Sequence, residues 1–118
     1  MLGPIKELKV RVLERDSIGM LNFSEKQEGF IQSVNACIYF GVRARDIFGN
    51  EEWVDASWSS ERGDLVHITP RRSSQVRVVG LRPAEGRIPI IAEYAGHKAR
   101  AYIEGIGGPG EGALRSSE

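Results

Sequence analysis

The chain has 118 residues, 41% hydrophobic and 27% charged, and its sixteen basic and sixteen acidic side chains cancel. That length suits one domain, which buries roughly two-thirds of its unfolded surface and needs neither metal nor disulfides to form a core. Zero net charge removes the usual reason to expect nucleic acid or an acidic membrane surface as partner, and leaves room only for a local basic patch.

Cys37 is the single cysteine, so no intrachain disulfide is expected. No apolar run is long enough to cross a bilayer, and residues 1–6 carry no signal-peptide core. Two settings fit: a cytoplasmic protein, or a domain of a longer exported chain.

Residues 5–13 open the pattern. Leu8, Val10 and Val12 alternate with Lys9 and Arg11, which predicts a strand. A helix is the alternative, because Lys, Glu, Leu and Arg are good helix formers. Residues 16–19 read as a turn, 20–23 as a short edge strand and 25–29 as a loop. Residues 33–45 carry the clearest alternation. Val34, Ala36, Ile38, Phe40 and Val42 share one face, a period that no helix accommodates. Asp46-Ile47-Phe48-Gly49-Asn50 follows as a turn, with an Asp that can bond nearby backbone N–H groups.

Residues 54–60 predict the central strand, with Val54, Ala56 and Trp58 inward. A turn spans 60–64, and a short strand spans 65–69 with Val66 and Ile68 on one face. Pro70 breaks it, and another strand runs over 75–81, where adjacent Val78 and Val79 leave the facing open. Pro83-Ala84-Glu85-Gly86 reads as a turn. Residues 87–94 place Ile88, Ile90, Ala92 and Tyr94 inward, and residues 98–105 place Ala99, Ala101 and Ile103 inward.

A two-residue turn at Gly96-His97 is expected between those last two strands. It sets Tyr94 opposite Ala99, Ile90 opposite Ile103, Glu93 opposite Arg100 and Ile91 opposite Tyr102. The glycine-rich stretch 107–118 reads as a flexible tail or linker, which leaves residues 1–106 as the domain.

About seven to nine short antiparallel strands with turn signals between them predict an all-β sandwich or barrel. One core tryptophan midway along the chain favours an immunoglobulin-like sandwich. The expected core is built on Trp58, Phe40, Ile90 and Tyr94.

The order of certain short motifs resembles the bacterial immunoglobulin-like (BIG) domains of surface adhesins. These are Asp46-Ile47-Phe48-Gly49-Asn50, Trp58-Ser59-Ser60, Val79-Gly80-Leu81, the strand ending Ala92-Glu93-Tyr94, and the Gly96 hairpin. The likeness covers roughly residues 34–106. Pro70 to Ser74 departs from the family's short glycine turn, and the first thirty residues match nothing in it.

The resemblance implies a non-enzymatic module of a larger cell-surface or exported protein, acting as a spacer or in adhesion. Its partners would be neighbouring immunoglobulin-like domains or another surface protein. A carbohydrate- or ligand-binding module attached to an extracellular enzyme or phage tail protein is the alternative, with a glycan as partner.

Chemistry-bearing residues are sparse. Cys37, His67 and His97 have no zinc-ligand spacing, so neither metal nor cofactor is expected. Asp46, Asn50, Glu51 and Glu52 form an oxygen-rich cluster that reads first as a solvated turn and second as a calcium loop. No Gly-x-Ser-x-Gly is present, and no nucleophile and base are paired, so no enzyme activity is expected. Asn22-Phe23-Ser24 fits a glycosylation sequon. If the tryptophan strand lies beside strand 87–94, then Trp53, Ile91 and Tyr102 share one outer face. They form the expected interaction surface.

Overall fold

The computed structural model describes residues 2–107. They form eleven strands and no helix: β1 (Ile5–Arg15), β2 (Leu21–Phe23), β3 (Glu28–Ile31), β4 (Cys37–Asp46), β5 (Glu51–Trp53), β6 (Ala56–Ser59), β7 (Val66–Thr69), β8 (Arg72–Ser73), β9 (Gln75–Gly80), β10 (Ala84–Tyr94) and β11 (His97–Ile106). The count exceeds the expected seven to nine because β3 stands where a loop was expected, and the short β5 and β8 add two more.

Two sheets result. The first runs β2-β1-β4-β9-β7, with β5 also paired to β4. The second runs β3-β11-β10-β6-β8. Nearly all pairings are antiparallel, and β3 with β11 is the parallel exception. The inner faces enclose one core. Phe40, Val42, Val10, Val76 and Val78 come from the first sheet, and Trp58, Ile88, Ile90 and Ile103 from the second. Period-two alternation along each strand is what lets one face be dry and the other wet.

The expected core holds at Trp58, Phe40 and Ile90. Tyr94 is only half-buried and packs at the core's edge. Val78 turns inward and Val79 outward, which resolves their facing.

Three expected boundaries shift. β4 begins at Cys37, because Asn35 takes a left-handed φ of 71° and residues 33–36 form a turn. The central strand is split. β5 ends at Trp53 in the first sheet, the chain crosses at Val54-Asp55, and β6 begins at Ala56 in the second. The turn at 83–86 is instead the start of β10, whose pairing with β11 is irregular between Glu85 and Ile88.

β6 does lie beside β10, with Ala92 opposite Trp58. The hairpin register differs from expectation by two residues. Tyr94 sits opposite His97, Ala92 opposite Ala99, and Ile90 opposite Ala101. The turn residues are Ala95 (φ 51°) and Gly96 (φ 81°), and two consecutive positive φ angles define a type I′ turn. Inward residues still meet inward ones, because a shift of two preserves the faces. The outer pairs become Glu93 with Lys98, Ile91 with Arg100 and Tyr102 with Pro89.

Alanine is a poor choice for that first position, since a left-handed conformation costs a non-glycine residue about 1–2 kcal/mol. Asparagine tolerates it and is favoured there before glycine. Ala95→Asn is therefore expected to stabilise the domain by about 1 kcal/mol, read as a higher urea midpoint with an unchanged m-value.

The chain enters and leaves at opposite poles. β1 starts opposite Asp46, at the far end of β4, and runs towards the β4 start, where Leu13 meets Tyr39. β11 ends at Ile106 opposite Ala84, and Gly107 N–H donates to the Ile31 carbonyl at 2.8 Å. That end lies beside Gly80, whose N–H donates to the Ala36 carbonyl just before β4. The stretch expected to be a tail lies, beyond Gly107, outside the described residues.

The entry pole is locked by Asp46, the one fully buried charged side chain among the described residues. Its carboxylate accepts hydrogen bonds from Gly3 N–H (2.9 Å), Phe48 N–H (2.9 Å), Asn50 N–H (2.8 Å) and Asn50 Nδ2 (3.0 Å). The Gly3 bond lowers its pKa most, burial opposes, and the Asn50 and Phe48 bonds add to the lowering. The carboxyl titrates at about 2 instead of 3.8.

A depressed folded pKa means the charged form stabilises the fold above the ordinary aspartate range, and that contribution is lost as pH falls through the folded value. Stability should therefore fall between about pH 4 and pH 2. In Asp46→Asn the urea midpoint should start lower and decline less over that window, with Asp16, Glu51 and Asp64 keeping a residual slope.

Candidate functional site

The three residues expected to share a face do not. Trp53 belongs to the first sheet, paired opposite Arg43. Ile91 and Tyr102 lie on the outer face of the second, as diagonal neighbours across β10 and β11. The interaction surface built on all three is therefore wrong, because the crossing at Val54-Asp55 separates Trp53 from the strand that follows it.

On the second sheet, the Arg87 guanidinium lies 4.2 Å from the Tyr102 ring centroid and pairs with Glu28. Lys98 meets Glu93 at 3.7 Å, and Arg100 meets Glu61 at 3.8 Å. On β10 and β11 each outward cation thus has a carboxylate partner.

The first sheet's outer face is different. Odd-numbered residues of β1 and β4 point outward, opposite the buried Val10, Val12, Phe40 and Val42. Lys9, Arg11 and Arg15 project from β1, Arg43 and Arg45 from β4, and Arg77 from β9. Glu7 and Glu51 are the carboxylates whose register places them on this same outer face.

Glu51 serves two of them, at 3.0 Å from Lys9 Nζ and 3.0 Å from Arg43 Nε. The Lys9 hydrogen bond, with Arg43 beside it, holds the Glu51 carboxyl below the usual range. Glu7 stands 3.8 Å from Arg45. Arg11, Arg15 and Arg77 have no carboxylate partner among the described residues. Arg11 and Arg15 donate only to the carbonyls of Val10 and Gly19.

Aromatic rings sit among these cations. Trp53, 36% exposed, meets Phe23 edge to face at 5.5 Å and 88°. The Arg43 guanidinium stands 5.2 Å from the Trp53 ring and 5.9 Å from Phe23. Arg15 lies 5.3 Å from the Tyr39 ring. Gly41 makes the arrangement possible, since a Cβ there would come within 2.6 Å of Trp53 Cζ3 and 2.8 Å of Leu13 Cδ2. Leu13 is buried under this cover although it points away from the main core.

Phe23, Tyr39, Gly41, Arg15, Arg43 and Arg77 were missed in the sequence. The outward alternation Lys9, Arg11, then Arg43, Arg45 was the available signal. Only the strand pairing joins it to Arg77 and Phe23.

Two open clefts lie elsewhere. One of about 510 Å³ is lined by Leu2, Trp53, Asp55, Arg72, Ser74 and Tyr94 at the entry pole. Another, of about 660 Å³, lies beside Phe30, Pro83, Glu85 and Glu104 at the exit pole.

The oxygen-rich turn does not converge on a cation. Asp46 spends its carboxylate on N–H donors, and Glu51 turns to Lys9 and Arg43. Among the described residues no three His, Cys, Asp or Glu side chains gather as a metal-binding group. No described helix is long and apolar enough to cross a membrane. Compared with models of known families, with curated proteins and with solved structures, the chain matches none.

Proposed function

We propose that this chain is a non-enzymatic immunoglobulin-like module of a larger cell-surface or exported protein, serving as a spacer or in adhesion. The observation that carries the reading is the placement of its two ends. β1 begins at one pole beside Asp46, and β11 ends at the other beside Ile31. A chain continuing past both ends would string such domains in line, each adding its own length. Two sheets packed over one buried tryptophan support the immunoglobulin-like form. Neighbouring domains of the same kind, or another surface protein, are the partners this reading implies.

The test is small-angle scattering from two copies joined head to tail. β1 alone, eleven residues, spans about 36 Å at the usual strand rise. In-line stacking should lengthen the particle by at least that much. Two copies folded side by side, with little gain in length, would reject the spacer.

The second reading is a carbohydrate- or ligand-binding module attached to another protein. The unbalanced cations on the first sheet favour it over a purely mechanical part.

A further inference from the structure

We propose that the outer face of the first sheet binds a linear acidic polysaccharide, whose carboxylate or sulfate groups meet Arg11, Arg15 and Arg77. The proposal rests on the reading of the domain as a module that presents a surface. It does not depend on the in-line stacking, which scattering measures separately.

Charge is the first argument. The whole chain is neutral, yet six cations face two carboxylates on this one sheet. On the second sheet Arg87, Lys98 and Arg100 are paired with Glu28, Glu93 and Glu61, which leaves Arg72 on the short edge strand β8 as the cation without a carboxylate partner among the described residues. Segregation of this kind gives a neutral protein one attractive face for a polyanion.

Spacing is the second. Arg11 and Arg15 lie four residues apart on one strand, which is about 13 Å between Cα atoms. Arg77 pairs with Tyr39, and Tyr39 with Leu13, so Arg77 stands two strands away. That places it about 12 Å from each of the other two. The three Cα atoms therefore mark a broad triangle about Leu13 and Tyr39, and the Arg15 guanidinium is drawn in over the Tyr39 ring. A polymer with repeating acidic groups matches three cations spread over this distance better than one small anion does. Guanidiniums also suit planar carboxylates and sulfates, which they can engage in a two-pronged fashion.

The rings decide between polyanions. Single-stranded nucleic acid is held by bases stacked on open aromatic faces. Here each ring is already engaged by a cation or another ring. Arg15 covers Tyr39, while Trp53 has Gly41 beneath it, the edge contact with Phe23, and Arg43 alongside. These rings stiffen the cationic platform and leave charge as the means of recognition.

The experiment measures binding of heparin, polygalacturonate, neutral dextran and single-stranded oligothymidylate at several salt concentrations. The wild type should bind at least one acidic glycan, with affinity falling as salt rises, and should not bind dextran. Arg11→Ser with Arg77→Ser should weaken that binding at least about tenfold and flatten its salt dependence. Lys98→Ser with Arg100→Ser removes equal charge from the second sheet and should change it less than about twofold. Arg77→Ser alone serves if the pair fails to fold, since the Arg77 side chain is exposed and makes no hydrogen bond among the described residues.

No binding to either acidic glycan at low salt would overturn the proposal. So would equal losses in the two double variants. Tighter binding of oligothymidylate than of either glycan would replace it with a nucleic-acid face.

Discussion

Trp58→Ala should lower the unfolding free energy by about 3–5 kcal/mol, which is a large share of a small domain's stability. Trp58 is 3% exposed and lies on β6 opposite Ala92, between β10 and the edge strand β8. Truncation removes a large apolar surface from the core and opens a cavity there. The ring also holds the sheet's edge. Its Nε1–H donates to the Ser73 carbonyl at 2.8 Å, and its backbone N–H donates to the Arg71 carbonyl at 2.8 Å. Two-residue β8 has little else to fix it.

Trp58→Phe separates the two roles. It keeps most of the apolar packing and loses the side-chain hydrogen bond, leaving a carbonyl unpaired at a cost of about 1–3 kcal/mol. Trypsin should then cut faster at Arg71 and Arg72 in Trp58→Phe, at a temperature where the rest of the domain stays resistant. A urea midpoint for Trp58→Ala equal to wild type would refute the placement of this ring at the centre of the core.

What the sequence disclosed follows from period two. β4, β6 and β10 alternate cleanly, so Phe40, Trp58 and Ile90 were assigned to the core from the residues alone. The pattern states which way a side chain faces and does not state which sheet owns the strand. Val54 and Asp55 continue the alternation of the residues around them, with no glycine or proline to mark the crossing. Trp53 was therefore placed on the wrong sheet.

The hairpin failed for a related reason. Registers two residues apart bury the same side chains, so parity cannot choose between them. The chooser was Ala95 at positive φ, an unusual conformation for alanine that no local rule announces. The cationic face was hidden more deeply. Its residues come from β1, β4 and β9, and each strand alone shows only ordinary solvated charges.

Phe40→Ala should match the tryptophan variant in size, at about 3–5 kcal/mol, and it probes the other sheet. Phe40 is fully buried on β4, with Val12 opposite it on β1 and Val76 opposite it on β9. Strands on both sides hold the backbone in place, so the site cannot collapse to fill the void. Phe40→Leu leaves a smaller gap and should cost about 1–2 kcal/mol.

The comparison with Trp58 tests whether the two sheets share one core. Phe40 and Trp58 belong to a single buried cluster that spans both. If the sheets unfold as one unit, loss at Phe40 must release Trp58 as well. With Trp53 replaced by Phe, so that Trp58 is the one tryptophan left, fluorescence and far-ultraviolet circular dichroism should then give the same lowered urea midpoint in Phe40→Ala. A fluorescence transition that stays at the wild-type midpoint while the circular dichroism shifts would mean that the sheets come apart separately. The first sheet, which carries both Phe40 and the outer face over Gly41, would then be the layer that is lost, and the cationic platform would melt before the second sheet.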